Sequence, residues 1–164
     1  VPPLGDTIYQ LTWQHGVTHI YDRETLRQIG QRKYTGEGWG LTTDGESLYM
    51  SDGTPDIRVL DPQSLALKRR IAVTCNGESL PYLNELEWIE GKIWANIYLS
   101  DAIVEIDSAT GTVMGYVDLS PLRAMLKENP EAEALNGIAY NPTTKHFYVT
   151  GKDWNTLFEI EIIK

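Results

Sequence analysis

The amino-acid sequence predicts an all-β protein built as a β-propeller of four-stranded antiparallel blades. Four segments repeat one order of apolar strand, polar turn and second strand ending in an acid, and Asp-Gly and Asn-Pro hairpin signals separate other strands. The aromatic residues at the equivalent position lie 40, 45 and 54 residues apart and are Tyr9, Tyr49, Trp94 and Tyr148. Spacings of about 40–45 residues with four short strands per unit are typical of propellers.

The remaining strands follow from the same repeat. The second strands of the units are predicted at 17–21, 57–60, 103–106 and 157–160. Upstream strands are predicted at 40–43, 84–88 and 136–140, and outer strands at 67–73 and 113–117. Only residues 1–7 precede Ile8, so we predict no upstream strand in the first unit. We therefore expect about three and a half blades, as one domain over residues 1–164 or the C-terminal portion of a larger one.

The longest spacing between equivalent aromatic residues has a local explanation. Ser120 is a suitable helix N-cap, Pro121 suits the first helical position, and good helix formers follow. The sequence predicts a short helix at 120–128 and then a loop through Pro130.

Composition excludes several classes of function. The 164 residues carry 14 Lys and Arg against 23 Asp and Glu, a net charge of −9, which argues against binding a phosphate backbone. No apolar run approaches the ~18 residues of a membrane-spanning helix. Cys75 is the single cysteine, so no internal disulfide can form. We expect a signal peptide to be absent or already removed, and a secreted or periplasmic location is slightly favoured over the cytosol.

Some side chains could carry chemistry but have a simpler interpretation. Glu85 and Glu87 look like an acid–base pair on one face of a strand, although structural hydrogen bonding near the propeller axis is the favoured interpretation. The glycine-rich run 35–38 lacks the lysine and helix of a phosphate-binding loop. Surface or turn roles are expected for the other candidates, which are His15, His19, His146, Asp52 and Asp101.

Six short runs occur together, in order, across nearly the whole chain. They are Gly-Trp-Gly-Leu-Thr-Thr-Asp-Gly at 38–45, Ser-Asp-Gly at 51–53, Leu-Asn-Glu-Leu-Glu at 83–87, Trp-Ala-Asn-Ile at 94–97, Leu-Asn-Gly-Ile-Ala at 135–139 and Val-Thr-Gly-Lys at 149–152. Together they closely resemble the plant and bacterial glutamine cyclotransferases. The resemblance implies a five-bladed propeller that converts N-terminal glutamine of peptides to pyroglutamate with release of ammonia, with no cofactor and no catalytic metal.

The resemblance also implies a set of site residues. Trp13 and Trp39 match walls of the family's substrate pocket, and Tyr98 takes a wall position that is often tryptophan. Asn84 matches a polar pocket residue and Lys152 a lysine that could steady negative charge, so these two are the catalytic candidates. The family's catalytic glutamate lies in a Gly-Glu-Gly-Leu run, and its match is expected just upstream of residue 1.

Two alternatives to an enzyme remain at this point. The chain could be a non-catalytic propeller fragment or binding module that keeps the aromatic mouth. It could also be a scaffold that completes a ring through its open sheet edges, with missing N-terminal blades or another copy of the chain as partner. The expected partner of the enzyme is a peptide or protein with N-terminal glutamine, and no nucleic acid or membrane partner is expected.

Overall fold

A computed structural model of the chain describes residues 1–126 and 129–163. Four antiparallel sheets follow one another along the chain, and the strands of each sheet pair in sequence order. The first two blades contain the strands β1 (Pro3–Leu4), β2 (Thr7–Leu11), β3 (Val17–Asp22), β4 (Gln28–Lys33), β5 (Leu41–Thr43), β6 (Leu48–Met50), β7 (Asp56–Leu60) and β8 (Leu67–Ala72). This repetition of meandering sheets confirms the predicted all-β propeller arrangement.

The second half of the chain continues the pattern with two inserted elements. A small hairpin of β9 (Thr74–Cys75) and β10 (Glu78–Ser79) precedes the third blade. The later elements are β11 (Leu83–Ile89), β12 (Lys92–Ile97), β13 (Ala102–Asp107), β14 (Val113–Asp118), the helix α1 (Ser120–Arg123), β15 (Leu135–Asn141), β16 (His146–Gly151) and β17 (Phe158–Ile160). In the described part of the chain, the fourth blade has three strands, whereas each of the first three has four.

The first blade differs from the prediction. Its inner strand β1 exists, since Pro3 pairs with Ile8 and Leu4 with Thr7, so the expectation that residues 1–7 hold no upstream strand was wrong. Two residues suffice for this strand because one turn links it directly to β2. The outer strand β4 was not predicted either. Its residues are mostly exposed and polar, and they pair through the backbone without the apolar alternation that predicts a strand.

The helix is also shorter than the sequence predicted. It covers Ser120–Arg123, and residues 127–128 of the predicted helix lie outside the described residues. Ser120 is the first helical residue and not the N-cap, which is Leu119, and the Ser120 N–H donates to Oδ1 of Asp118 at 2.9 Å. Pro121 is therefore the second helical residue, whereas the sequence predicted it as the first. No helix among the described residues is long and apolar enough to cross a membrane.

The acid that ends the second strand of each pair has a repeated structural role. Oδ1 of Asp22 accepts the backbone N–H of Thr25 at 2.7 Å, and Asp61 and Asp107 accept equivalent bonds from residues three positions later. Each turn is followed by a backbone with positive φ at Leu26, Leu65 or Gly111. A β-bulge accompanies all three turns. The outer hairpins of the first three blades are therefore built in the same way.

Apolar side chains fill the spaces between neighbouring blades. Tyr9, Leu41 and Met50 belong to the cluster between the first and second blades. Ile57 and Ile93 belong to the cluster between the second and third, which is the largest group of fully buried residues. A further cluster joins the third and fourth blades and includes Trp94, Leu135 and Phe147. These packed faces hold the blades in fixed relative positions, which allows loops of different blades to form one site.

Candidate active site

A cavity of about 300 Å³ opens where the loops of all four blades converge. In an antiparallel meander, the connection after the second strand and the connection to the next blade lie on the same face. The residues that line the cavity come from these connections and from the first residues of β11 and β15, and they are Trp13, Gly38, Trp39, Asn84, Tyr98, Asn136 and Lys152. All five residues predicted for the site are in this set, and Gly38 and Asn136 are additional.

Three of the lining residues occupy one equivalent position in successive blades. The inner-strand residues Leu41, Leu86 and Ile138 pair with Met50, Ala95 and Val149 of the adjacent strands. The residue two positions earlier lines the cavity in every case, and these residues are Trp39, Asn84 and Asn136. The inner strands of the second, third and fourth blades therefore each contribute one side chain, at or just before the start of the strand, to the cavity.

A second equivalent position supplies most of the remaining wall. It lies three residues after Gln10, Met50, Ala95 and Val149, where the second strand of each blade has ended. The residues there are Trp13, Gly53, Tyr98 and Lys152. Only the second blade has a glycine at this position, and its missing side chain leaves room for an indole. A Cβ on Gly53, whose φ is +82°, would lie 2.6 Å from Cη2 of Trp39.

One carboxylate joins the two tryptophans of the cavity. The indole nitrogens of Trp13 and Trp39 each donate to Oε2 of Glu37 at 2.7 Å. The donors from Trp39 and Trp13 hold the pKa of Glu37 below its usual range, so the carboxylate is ionised at neutral pH. Trp13 is 62% exposed, so packing alone does not orient its ring. The shared carboxylate therefore sets the positions of both indoles.

A buried arginine holds the backbone of the loop that carries Glu37. The side chain of Arg58 donates to the backbone oxygens of Thr35 at 2.5 Å and Glu37 at 2.7 Å, and its Nη2 lies 3.2 Å from Oδ2 of Asp52. Asp52 also accepts the backbone N–H of Thr54, which agrees with its expected role in a turn. This arrangement positions Glu37 through its backbone.

Aromatic and cationic groups form another part of the cavity wall. The rings of Trp39 and Tyr98 meet edge to face, with centroids 5.5 Å apart and planes at 74°. Nζ of Lys152 lies 5.2 Å from the centroid of the Tyr98 ring, which is within the range of a cation–π interaction. Lys152 is otherwise exposed, so the ring of Tyr98 is its described contact at the cavity.

Asn84 is held at the base of the cavity by the neighbouring blade. It is 5% exposed, and its backbone oxygen accepts the Ser51 hydroxyl at 2.5 Å. The same hydroxyl accepts the N–H of Gly40 at 2.8 Å. A Cβ on Gly40 would lie 2.0 Å from the Asn84 oxygen, so this approach of two backbones requires glycine. The position of Asn84 is therefore coupled to that of the adjacent Trp39.

Asn136 repeats this position in the next blade. Its Oδ1 accepts the backbone N–H of Glu85 at 3.4 Å, which leaves the two N–H donors of the amide for other partners. The cavity thus has side-chain amides from Asn84 and Asn136 on adjacent inner strands. Amide donors held in fixed positions can stabilise negative charge on an oxygen.

The glutamate pair lies deeper along the inner strands. Among the residues that line the cavity in the described part of the chain, neither Glu85 nor Glu87 is present. Burial raises the pKa of both carboxyls, and Glu87 raises that of Glu85 further. Oε2 of Glu85 is buried and has no hydrogen-bond partner among the described residues. Glu85 lines two neighbouring cavities, and Glu87 lines one of them.

The other candidates lie away from the cavity. His146 pairs with Glu159 at 2.8 Å and His19 contacts the Gln28 amide at 3.2 Å, whereas His15 is exposed. Cys75 lies in the small hairpin β9–β10. Nowhere in residues 1–126 and 129–163 do three or more His, Cys, Asp or Glu side chains form a group that could hold a metal ion.

Comparisons with known proteins agree on one family. The family model described as glutamine cyclotransferase matches residues 1–162. A glutaminyl-peptide cyclotransferase of Arabidopsis thaliana is 37% identical over 162 residues, which are 97% of this chain and 51% of that protein. The crystal structure of Myxococcus xanthus glutaminyl cyclase superposes with a TM-score of 0.91 at 38% identity, covering 98% of this chain and 70% of the other.

More distant structures share only the fold. The WD40 propeller domain of Doa1 is 9% identical, with a TM-score of 0.57, and the match covers 94% of this chain and 46% of that chain. The chain spans about half the length of the curated relative from Arabidopsis.

Proposed function

The chain belongs to the glutamine cyclotransferase family, and we propose that it supplies the substrate cup of a glutaminyl-peptide cyclotransferase. The substrate is a peptide or protein with N-terminal glutamine, and the products are pyroglutamate and ammonia. The observation that carries this proposal is the convergence of Trp13, Trp39, Asn84, Tyr98 and Lys152 on one cavity. These five residues lie far apart in the chain, the family resemblance assigns them to the substrate pocket, and all of them line the same cavity of about 300 Å³.

The proposed reaction is a ring closure within the first residue of the substrate. The α-amine attacks the side-chain carboxamide carbon, the bond from that carbon to its nitrogen breaks, and the proton lost by the amine passes to the departing nitrogen. Ring closure requires the side chain to fold back on the amine. Because an enclosed aromatic cup favours such compact conformers, it removes much of the entropic barrier. The walls Trp13, Trp39 and Tyr98 have this role in the proposal.

The attack also places negative charge on the carboxamide oxygen. The amides of Asn84 and Asn136 are the proposed hydrogen-bond donors to this oxygen, and Lys152 is the proposed positive charge at the mouth. Preorganised donors of this kind commonly contribute about 2.7–4 kcal/mol each to transition-state stabilisation. Asn84 is well placed for such a role because Ser51 and Gly40 restrict its backbone.

The proton transfer needs a carboxylate, and the repeat suggests where it comes from. In the first blade, the position equivalent to Trp39, Asn84 and Asn136 would lie two residues before Val1, if the register of Pro3 with Ile8 continues. The family resemblance expects the catalytic glutamate just upstream of residue 1. We therefore propose that this glutamate completes the ring of equivalent inner-strand residues, facing the same cavity.

A propeller module without catalysis, which self-associates through the open edge of its fourth blade, is the alternative. β17 is the last strand of the fourth blade, and among the described residues no further strand pairs with its outer edge. Light scattering of the purified protein over a range of concentrations tests this alternative. A concentration-dependent dimer without cyclase activity would favour it, whereas an active monomer would exclude it.

Kinetics of Trp39→Ala in the full-length protein test the enzyme proposal. Loss of this wall should lower kcat/KM for a glutaminyl peptide by about 10- to 100-fold, because the ring contacts both Tyr98 and the indole-bonding Glu37. Tyr116→Ala is the matched control, since Tyr116 is a large aromatic residue that is 62% exposed on the outer strand β14. Equal kinetics for the two variants would remove Trp39 from the site.

A further inference from the structure

The start of the connection between the third and fourth blades contacts the β12–β13 turn, which carries Tyr98. The N–H of Leu119 donates to the backbone oxygen of Asp101 at 2.7 Å. Nε and Nη2 of Arg123 then donate to Oδ2 and Oδ1 of Asp101 at 2.7 and 2.6 Å. A forked pair of this geometry is more specific than a typical surface ion pair. The start of the connection is thus fastened to the Tyr98 turn by three hydrogen bonds.

The same arginine reaches the end of the connection. Nη2 of Arg123 also donates to the backbone oxygen of Glu133 at 3.1 Å. Residues 133–134 in turn pair with Lys152, since the N–H of Glu133 donates to the Lys152 oxygen and the N–H of Lys152 donates to the Ala134 oxygen, both at 2.9 Å. One guanidinium therefore joins the loop of Tyr98 to the backbone of Lys152.

Trp154 contacts both Glu133 and Arg123 and so belongs to the same network. Its indole N–H donates to the Glu133 oxygen at 2.9 Å, and the Arg123 guanidinium lies 5.5 Å from the centroid of its ring. The indole packs directly on Gly151, where a Cβ would lie 2.4 Å from the ring. Gly151, which precedes Lys152, is thus held by the same Trp154 ring that contacts Arg123.

We propose that Arg123 is a positioning residue that keeps Lys152 over the Tyr98 ring at the mouth of the cup, an inference that rests on the proposed function. Lysine has a long and flexible side chain, so the location of its charge depends strongly on its backbone. The connection holds that backbone through the N–H and the oxygen of Lys152, and it holds the Tyr98 turn through Asp101. These contacts keep Nζ 5.2 Å from the centroid of the ring. Arg123 itself does not contact substrate.

The first test compares Arg123→Ala with Arg123→Lys in the full-length protein. Because Lys152 is assigned to charge that develops during the reaction, Arg123→Ala should lower kcat about tenfold and change KM less than about twofold. Arg123→Lys keeps the charge but not the forked geometry and should recover part of the loss. Arg70→Ala is the matched control, since it removes an exposed ion pair with Asp56 on the second blade.

A double-variant cycle distinguishes positioning from general stability. In a Lys152→Ala background, Arg123→Ala should cause a much smaller further loss of kcat, because the charge that it positions is already absent. An equal loss of kcat in both backgrounds would overturn the inference. An unchanged kcat for Arg123→Ala in the otherwise native protein would also overturn it.

Hydrogen exchange tests the inference without relying on activity. In Arg123→Ala, the amides of Glu133 and Lys152 should exchange about tenfold faster, while Arg70→Ala should leave them unchanged. Unaltered exchange at these two amides would overturn the inference even if the protein is an active cyclase. Conversely, faster exchange in a protein that does not cyclise glutaminyl peptides would support the contact network and count against the proposed function alone.

Discussion

Trp13 and Trp39 share one hydrogen-bond acceptor, since both indole nitrogens lie 2.7 Å from Oε2 of Glu37. The two rings come from different blades and are separated by 26 positions in the chain. A single ionised oxygen therefore sets the geometry of two walls of the cup. Because Arg58 in turn holds the backbone of Glu37, the walls are organised by polar contacts that extend well below the cavity.

Glu37→Ala should loosen both tryptophan walls while leaving the blades folded. We expect KM for a glutaminyl peptide to rise about three- to tenfold, because two charge-assisted hydrogen bonds are lost from the rings that contact substrate. Steady-state kinetics measure this effect. Glu46→Ala serves as the control, since Glu46 is an exposed residue of the β5–β6 turn. An unchanged KM for Glu37→Ala would contradict the role of the shared acceptor.

Gly53→Ala should displace Trp39, and Gly45→Ala provides a matched control. Both glycines have positive φ, +82° and +94°, so each alanine carries a similar backbone cost of about 1–2 kcal/mol. Only at Gly53 would the new Cβ meet the Trp39 ring, whereas Gly45 faces open space. We expect both variants to lose thermal stability, Gly53→Ala the more, with a shift of tryptophan fluorescence and a lower kcat/KM in Gly53→Ala alone. Parallel behaviour of the two variants would show that the contact with Trp39 is unimportant.

Asn136→Asp separates the two functions of the Asn136 amide. The aspartate retains an oxygen that can accept the Glu85 N–H, but at neutral pH it has no donors and adds negative charge. If Asn136 donates to the developing oxyanion, kcat should fall about 100-fold in Asn136→Asp with little change in thermal stability. The same substitution at Asn141, a turn residue at the end of β15, is the control. A native kcat in Asn136→Asp would exclude the donor role.

The buried carboxyl of Glu85 should give the protein a characteristic dependence of stability on pH. Burial raises its pKa in the folded protein, so the folded state binds this proton more tightly than the unfolded state. The free energy of unfolding should therefore decrease as pH rises from the ordinary value of about 4.3 towards the raised pKa. Glu85→Gln should remove this decrease and raise the unfolding temperature at pH 8 by about 3–5 °C.

Thermal unfolding at pH 5 and pH 8 measures this effect. The exposed Glu78 in the hairpin β9–β10 provides the control variant Glu78→Gln. If Glu85→Gln and the native protein lose stability equally between the two pH values, Glu85 is not the source of the dependence.

The sequence predicted the blades well where strands carry buried apolar residues between turn signals. The strands whose bounds were predicted lie within about one residue of those bounds, and they are β3, β5, β7, β8, β11, β13, β14, β15 and β17. The strand β4 was missed because Gln28–Lys33 forms an edge that pairs through its backbone and buries little. The two-residue strand β1 is too short to have a periodic pattern. The family's motifs, in contrast, identified five residues that the fold brings to one cavity.

Two features of the cup were not predicted. Asn136 could have been found from the internal repeat, since Leu-Asn precedes the bulge of the inner strand at both 83–84 and 135–136. Glu37 had no such signal, because its partners Trp13 and Trp39 meet it only after two blades have packed together. The role of Arg123 likewise depends on contacts between residues 101, 123, 133 and 152, which no local pattern contains.

The most direct test of the proposed cup is to incubate a peptide with N-terminal glutamine with the full-length protein and to monitor the mass of the peptide by mass spectrometry. We expect the native protein and Lys145→Ala, which changes an exposed lysine of the β15–β16 turn, to release one ammonia per peptide at equal rates. We expect Lys152→Ala to be at least about tenfold slower. An intact peptide after prolonged incubation with the native protein, or equal rates for the two lysine variants, would contradict the account.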